Sequence, residues 1–267
     1  METGDKRAII KKKEGAEKVN PYRAGDPKGE QVKEMFDSIA PAYDFMNTAM
    51  TFGLHRHWRN VALDAVYGEL PEPARILDIA TGTGDLAFEL HKRYPEARVT
   101  GIDLSEGMLK IAHNKLLSAD YETRQKIDFD CQDCLDLQFP SDTFDLVTVA
   151  YGVRNFENLR KGYSEILRVL RPGGLLCVIE LSVPEGKYLE SAYHLYADRL
   201  IPAIGRRVSG DSRAYRYLPE SIAAAPQLKD MAQIMKDCGF VRCRWRSLTM
   251  GVVTFYLAKK QDGEKRL

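Results

Sequence analysis

Residues 75–85 read RILDIATGTGD, an apolar run interrupted by Asp78 and closing in a loop that carries Gly82, Thr83 and Gly84. The apolar residues predict a buried strand. The glycines permit a sharp turn and close approach of the backbone to a ligand, because no Cβ stands in the way. The next stretch, DLAFELHKRY, has helical periodicity, so the block reads strand, glycine turn, helix. By spacing alone, Gly82-x-Gly84-x-x-Ala87 also fits a dinucleotide-binding fingerprint.

Outward from this block the alternation continues. Apolar runs at RVTGID (98–103), KIDFDC (126–131), FDLVTVA (144–150) and GLLCVIEL (174–181) are separated by helical stretches such as SEGMLKIAHNKLLSA and NLRKGYSEILRVL. Short strands with helices between them predict an α/β fold whose parallel sheet is covered on both faces. Near the C-terminus, CGFVRCRWRSL and VVTFYLAKK are joined by Thr249, Met250 and Gly251, which predicts an antiparallel edge hairpin. Residues 28–70 read as N-terminal helices. Residues 183–225 are rich in tyrosine and arginine (Tyr188, Tyr193, Arg206 and Tyr217 among them) and predict a small helical cap over the strand ends, where open α/β sheets bind ligands. Residues 1–27 mix Lys, Glu, Gly and Pro and predict a disordered tail ahead of a single domain, 28–267.

A chain of 267 residues suits one large domain. Lys+Arg 39 against Asp+Glu 38 leaves a net charge of +1, so no global field steers it toward nucleic acid. Five scattered cysteines suit a reducing compartment, and Cys131-x-x-Cys134 lacks a matching second pair, so no metal is expected. The N-terminus lacks the apolar core of a signal peptide and no window is apolar enough to span a bilayer, which predicts a cytoplasmic protein.

The acids separate the two cofactor readings. Asp78 and Asp85 flank the glycines, where they would repel a pyrophosphate but suit a ligand carrying an ammonium and a sulfonium. Asp103 ends the second strand and can accept ribose hydroxyls from either cofactor. Asp133 follows the third strand, where it can accept an adenine amino group, and a nicotinamide needs no acid there. One strand-end acid is usually a polar rim; four at the exits of three successive strands favour S-adenosylmethionine. Its expected cradle is Asp78, Gly82, Thr83, Gly84, Asp103 and Asp133.

The set Asp78-x-Ala80-x-Gly82-x-Gly84, Asp103, Asp133 and the turn Arg171 to Gly174 resembles the class I methyltransferase core. Longer blocks narrow the likeness. Tyr43-Asp44-x-Met46-Asn47 with His55-x-x-Trp58, the loop Tyr151-Gly-Val-Arg154-Asn155, the stretch Arg168 to Ser182 with Glu180, and Tyr215 to Ser221 are similar to the quinone-pathway C-methyltransferases. These act on demethylmenaquinol and on the corresponding ubiquinone precursor, a methoxy-polyprenyl-benzoquinol. The likeness runs from about Lys28 to Ala258. Departures are Thr81 where glycine is common, Thr51 and Ala150 where serine occurs, and Cys134 at a small-residue position, where its backbone N–H can meet the adenine ring.

The resemblance implies a Rossmann-like sheet, mostly parallel with an antiparallel C-terminal strand, helices on both faces and a small helical substrate cap. It also implies methyl transfer from S-adenosylmethionine to a ring carbon beside a phenolic oxygen, converting demethylmenaquinol to menaquinol. The alternatives are the ubiquinone-precursor step and a small-molecule O- or N-methyltransferase of the same fold. A quinol hydroxyl, like a phenol with pKa about 10, needs a base or an oxyanion stabiliser near neutral pH. Arg154, assisted by Asn155, is the expected stabiliser, since a guanidinium stays protonated. Asp44 and Tyr43 are the expected proton acceptor or substrate contacts; His55 and His57 stand behind them, because histidines beside a tryptophan often only pack or cap. The lipophilic quinol implies peripheral contact with the inner face of a membrane, with Lys11 to Lys13 as its basic run, and the aromatic helices suit a homodimer.

Overall fold

The computed structural model describes residues 15–23, 25–184 and 212–263. Its seven-stranded sheet has the order β3-β2-β1-β4-β5-β7-β6. The strands are β1 (Arg75–Ile79), β2 (Arg98–Asp103), β3 (Ile127–Cys131), β4 (Phe144–Ala150), β5 (Leu170–Leu181), β6 (Val241–Leu248) and β7 (Val253–Lys259). β1 to β5 pair in parallel, while β7 runs antiparallel to both β5 and β6. The order reverses between β1 and β4, where Ile79 pairs with Val149, so a crevice opens at their carboxyl ends.

The central strands carry apolar residues on both faces, as burial from both sides requires. One face packs Ile76, Leu146 and Leu175 against Trp58 and Leu63 of α3 (Leu54–Tyr67) and Leu86 and Leu90 of α4 (Asp85–Arg93). The other packs Leu77, Val147 and Leu176 against Tyr163 and Ile166, from Leu159–Val169, and Met231 and Met235, from Lys229–Asp237. Each fully buried leucine contributes roughly 2 kcal/mol by removal of apolar surface from water. Ahead of the sheet lie α1 (Lys28–Ile39) and α2 (Tyr43–Thr51); α5 (Glu106–Leu117) and α6 (Tyr121–Lys126) precede β3, and α7 (Leu159–Val169), α8 (Ser212–Ala224) and α9 (Lys229–Asp237) follow β4, β5 and α8 in turn. Val32, Met35 and Met46 of α1 and α2 form a third apolar cluster with Met108 and with Ala214 and Tyr217 of α8. No described helix is long and apolar enough to cross a membrane.

Two readings of the sequence change. β5 begins at Leu170, because the RPGG turn stays extended: Phe144 pairs with Leu170 before an irregularity restores the register at Leu146 and Leu175. Residues 15–23 and 25–27, expected as part of a disordered tail, are tied to the domain. Ala16 is buried, and Glu17 Oε1 accepts the Leu159 N–H at 2.7 Å, satisfying a free donor at the start of α7. The fully buried Gln31 side chain accepts from Tyr22 N and Arg23 N and donates to the carbonyls of Arg23 and Asp26. Polar side chains that composition assigns to solvent serve here as caps and tethers. Of the expected cap, only α8 and the flanking turns are described; Lys11 to Lys13 and residues 185–211 lie outside the described residues.

Candidate active site

The exits of β1 and β4 turn through Ala80 (φ 54°) and Tyr151 (φ 58°), both left-handed. Gly152 sits against the first of them: a Cβ there would meet the Ala80 Cβ at 2.7 Å. Only glycine lets the two turns press together this closely. They border a cleft of about 800 Å³ whose lining includes Gly82, Asp103, Asp133, Cys134, Tyr151 and Asn155.

Asp103 Oδ2 accepts Gly82 N–H at 2.8 Å and Oδ1 accepts Ser105 N–H at 2.9 Å. Each oxygen keeps a further lone pair. Burial nevertheless lifts this carboxyl above its ordinary pKa, against those hydrogen bonds. Asp78 is buried and accepts hydroxyl protons from Thr81 at 2.6 Å and Thr148 at 2.7 Å. Burial outweighs both bonds and raises it to about 6. Thr81, the departure from the family's glycine, thus holds Asp78. Neither Asp78, which is buried, nor Asp103, which is half-buried, makes an ion pair among the described residues, so each carboxylate is suited to a cationic ligand. Gly84 opens α4 with φ 83°, and a Cβ there would stand 2.7 Å from the Phe129 ring. Asp133 accepts Leu135 N–H at 2.8 Å beside Cys134, whose thiol burial pushes far up and keeps neutral. This donor set fits S-adenosylmethionine: carboxylates for its cationic and hydroxyl groups, a glycine turn for close approach.

Asp44 lies on this donor side. Thr83 Oγ1 donates to it at 2.6 Å, and Lys115 Nζ bridges it at 2.7 Å to Asp85 at 2.6 Å. It borders a narrow space with Asp78, Thr83 and Arg59, and is absent from the lining of the second cavity. Arg59 is buried and held bidentately by Glu89, at 2.8 and 2.6 Å.

That second cavity encloses about 1080 Å³ between the N-terminal helices, α8 and the turn into β7, and is walled chiefly by Met35, Met46, Met50, Trp58 and Ile222. Phe36, Tyr43, Tyr151 and Asn155 line both cavities and form their common wall. Arg154 is buried in the second one, its guanidinium 2.6 Å from Glu180 and also donating to the Tyr151 carbonyl. Burial alone would lower its pKa, but the Glu180 carboxylate outweighs this and keeps it charged. Arg154 Nε–H and the Tyr151 hydroxyl are buried with no hydrogen-bond partner among the described residues. Asn155 accepts the Tyr217 hydroxyl at 3.0 Å. Tyr43 has its phenol raised by burial, against its bond to Asn47 and the nearby Arg154 charge. His55 is buried in the lining of the second cavity, Nδ1 2.7 Å from Thr51 Oγ1. Burial and the charges of Arg59 and Arg56 lower its pKa, so the imidazole is neutral at pH 7. His57 is exposed and lines neither cavity.

The site also uses residues that single motifs did not reveal. Lys28 is buried and donates to the carbonyls of Ala16 at 2.6 Å and Arg154 at 2.9 Å, and burial lowers its pKa to about 8. Asp37 accepts from Ser105 Oγ and Gly107 N, tying α1 to the start of α5 beside Asp103. Glu180 stood in a quoted signature; Lys28 and Asp37 had no local signal, since their partners are far along the chain.

Comparison with known proteins agrees with this geometry. Residues 25–260 match the family model described as the ubiE/COQ5 methyltransferase family. The chain is 44% identical to a demethylmenaquinone methyltransferase of Porphyromonas gingivalis, covering 91% of this chain and 98% of that protein. It is 38% identical to a ubiquinone/menaquinone biosynthesis C-methyltransferase of Geobacter sulfurreducens, covering 91% and 93%. Among solved structures, a possible histamine N-methyltransferase of Thermotoga maritima aligns with TM-score 0.59 at 17% identity, covering 86% of this chain and 99% of that one. A phosphoethanolamine N-methyltransferase of Haemonchus contortus, solved with S-adenosylmethionine, aligns with TM-score 0.57 at 18% identity, covering 76% and 53%. These distant likenesses carry the fold alone. With its signature residues gathered at the strand ends and nearly its whole length matched, the chain belongs to the ubiE/COQ5 methyltransferase family and is an S-adenosylmethionine-dependent methyltransferase of quinone biosynthesis.

Proposed function

We propose that the acceptor is demethylmenaquinol and that the ring carbon beside its hydroxyl is the atom methylated. The reading rests on the apolar cavity, with its two unpartnered buried donors, lying across one wall from the anionic cleft. A prenylated quinol matches it: the ring and chain satisfy the methionines and tryptophan, and an oxygen satisfies the donors that otherwise stay unbonded at a cost of about 1–3 kcal/mol each. The printed name of the Porphyromonas gingivalis relative supports this acceptor. That of the Geobacter sulfurreducens relative favours a second, the ubiquinone precursor.

When bound, S-adenosylmethionine supplies an electrophilic methyl group on a positively charged sulfur. Asp78, Asp103 and Asp133 hold the donor through its cationic and hydrogen-bonding groups, and the turn at Gly82 to Gly84 lets the backbone close on it. Arg154 and Asn155 stabilise the oxygen as it becomes anionic; one such donor is worth on the order of 3 kcal/mol in the transition state. Tyr43 screens the common wall from water. His55 takes the hydroxyl proton. Thr51 Oγ1 donates its single proton to the Asn47 carbonyl at 2.6 Å, so it accepts from His55 Nδ1–H, and the lone pair is left on Nε2. Asp44, already engaged by Thr83 and Lys115, serves the donor side instead. Loss of the hydroxyl proton to His55 makes the adjacent ring carbon nucleophilic; as the new carbon–carbon bond forms, the electron pair of the methyl–sulfur bond leaves on sulfur. That carbon then sheds its own proton, aromaticity returns and the oxygen takes a proton back from His55, so one proton is released overall.

The test is transfer of a tritiated methyl group to demethylmenaquinol and to the benzoquinol precursor, with complementation of a quinone-methylation mutant and mass analysis of its quinones. Label in a non-quinone acceptor, and none in either quinol, would overturn the reading.

A further inference from the structure

α2 is apolar on two sides. Its inner side gives Tyr43, Met46 and Met50 to the acceptor cavity. Its outer side carries Phe45, 63% exposed, in the same helical stripe as Ala49 and the capping residue Phe52, which is 82% exposed. A surface helix of a soluble domain normally turns polar residues outward. Leu54, at the start of α3, and Met250, in the turn before β7, are 41% and 71% exposed. Phe52 and Met250 both hold left-handed backbone, with φ 51° and 53°. Each directs a large apolar side chain into solvent from a conformation that favours glycine or asparagine.

These residues cluster at one end of the acceptor cavity. Thr51, next to Phe52, and Val252, two residues beyond Met250, both line it. Trp58 Nε1 donates to Thr249 Oγ1 at 2.7 Å, pinning the turn that carries Met250 onto α3. The charges around them have one sign. No acidic residue occurs between Asp44 and Asp64 or between Asp237 and Asp262. Arg56, His57 and Arg246 are exposed, and neither arginine makes an ion pair among the described residues.

Building on the quinol reading, we propose that this face docks on an anionic phospholipid bilayer, with Phe52, Leu54 and Met250 entering the interface, Arg56 and Arg246 meeting lipid phosphates, and the prenylated quinol passing from the bilayer into the cavity. Aromatic and aliphatic tips flanked by arginines match the interface of such a membrane, where apolar burial and attraction to anionic headgroups act together. A two-fold contact between copies fits less well, because it would set the same basic groups against one another.

The experiment is flotation of the full chain with phosphatidylglycerol/phosphatidylcholine vesicles and with pure phosphatidylcholine vesicles. Wild type floats with the anionic vesicles and far less with the neutral ones. The pairs Phe52→Asn with Met250→Asn, and Arg56→Glu with Arg246→Glu, each weaken that partitioning ~10-fold or more. Asparagine is at home in the left-handed region, so the first pair keeps its fold, and an unchanged affinity for S-adenosylhomocysteine verifies this. Transfer to a short-chain quinol in solution is unchanged for the first pair, while transfer to a long-chain quinol held in vesicles falls for both. Wild type that does not float overturns the proposal, as do both pairs floating like wild type. Flotation lost only on replacing Lys11 to Lys13 with glutamine, or a concentration-dependent dimer lost on Phe52→Asn with flotation intact, would assign the contact elsewhere and equally overturn it. Flotation needs no methylation, so intact flotation without transfer to any quinol defeats the acceptor reading alone.

Discussion

The donor side takes its acids from strand ends near the glycine loop, with Asp103 and Asp133 lining the cleft and Asp78 the narrow space behind Gly82, whereas the acceptor cavity gathers α1, α2, α3, α8, Leu181 of β5 and the turn into β7. The first is fixed by the sheet and its own loops: two main-chain N–H groups hold Asp103, and the hydroxyls of Thr81 and Thr148 hold Asp78. The second is fixed by side chains from segments more than a hundred residues apart, as in the bond from Lys28 to the Arg154 carbonyl. A cleft set by the sheet can keep one donor across many enzymes, while a cavity set by helices and turns can be recut for a different acceptor.

Substitutions that separate the two regions test it most severely. Asp103→Ala unfastens both Gly82 and Ser105 and removes a donor contact, so affinity for S-adenosylhomocysteine should fall by about 10³-fold, roughly 4 kcal/mol, by calorimetry. Arg154→Met should lower kcat by about 10²- to 10³-fold, with donor affinity unchanged. An equal loss of donor affinity there would merge the two sites into one. The same variant strands the Glu180 carboxylate, with a stability loss of about 3–5 kcal/mol in urea denaturation. Adding Glu180→Gln should recover much of that stability and none of the turnover.

Acid titration divides the regions more gently. Asp78, raised to about 6, must be ionised to meet a cationic donor, so donor affinity should weaken up to tenfold per unit as pH falls below that value. The donor-free protein goes the other way. Its native state keeps the Asp78 proton up to about 6, against 3.8 in the unfolded chain, so this group's contribution to stability is full below 3.8 and is lost as pH rises through about 6. At saturating donor, kcat should fall as His55 protonates, below its ordinary 6.5, and His55→Asn should flatten that limb without moving the donor-affinity curve. The smallest effect is expected for Lys28→Met, which loosens the Arg154 loop: a stability change of about 1 kcal/mol and a few-fold drop in kcat.

The difference between the regions also governs what the sequence disclosed. The acids of the donor side follow strands whose apolar runs are plain, so chain order alone brings Asp78, Asp103 and Asp133 to one edge. Arg154 and Asn155 were legible as a block, but not the Glu180 partner that orients Arg154. Asp44 looked like a proton acceptor because it adjoins Tyr43. One helical step turns it toward Thr83 and Lys115 instead, a direction the sequence does not encode without the packing of α2 on α5. The tautomer of His55 was hidden for a similar reason: it depends on the Thr51–Asn47 bond, which exists only in the folded helix. Residues 15–23 and 25–27 read as tail because a lysine or glutamate looks the same on paper whether it is solvated or capping a helix.

Gln31 gives that last point a practical edge. All four hydrogen-bonding positions of its buried amide are matched by the backbone of residues 22, 23 and 26. Trimming the protein at residue 27, at the start of the first long helix, would strip those partners from the amide and the Ala16 carbonyl from the Lys28 ammonium, exchanging fixed bonds for mobile water. A shortened enzyme should therefore begin no later than Gly15, and a cut further in should yield protein that is purified intact yet melts early and turns over slowly.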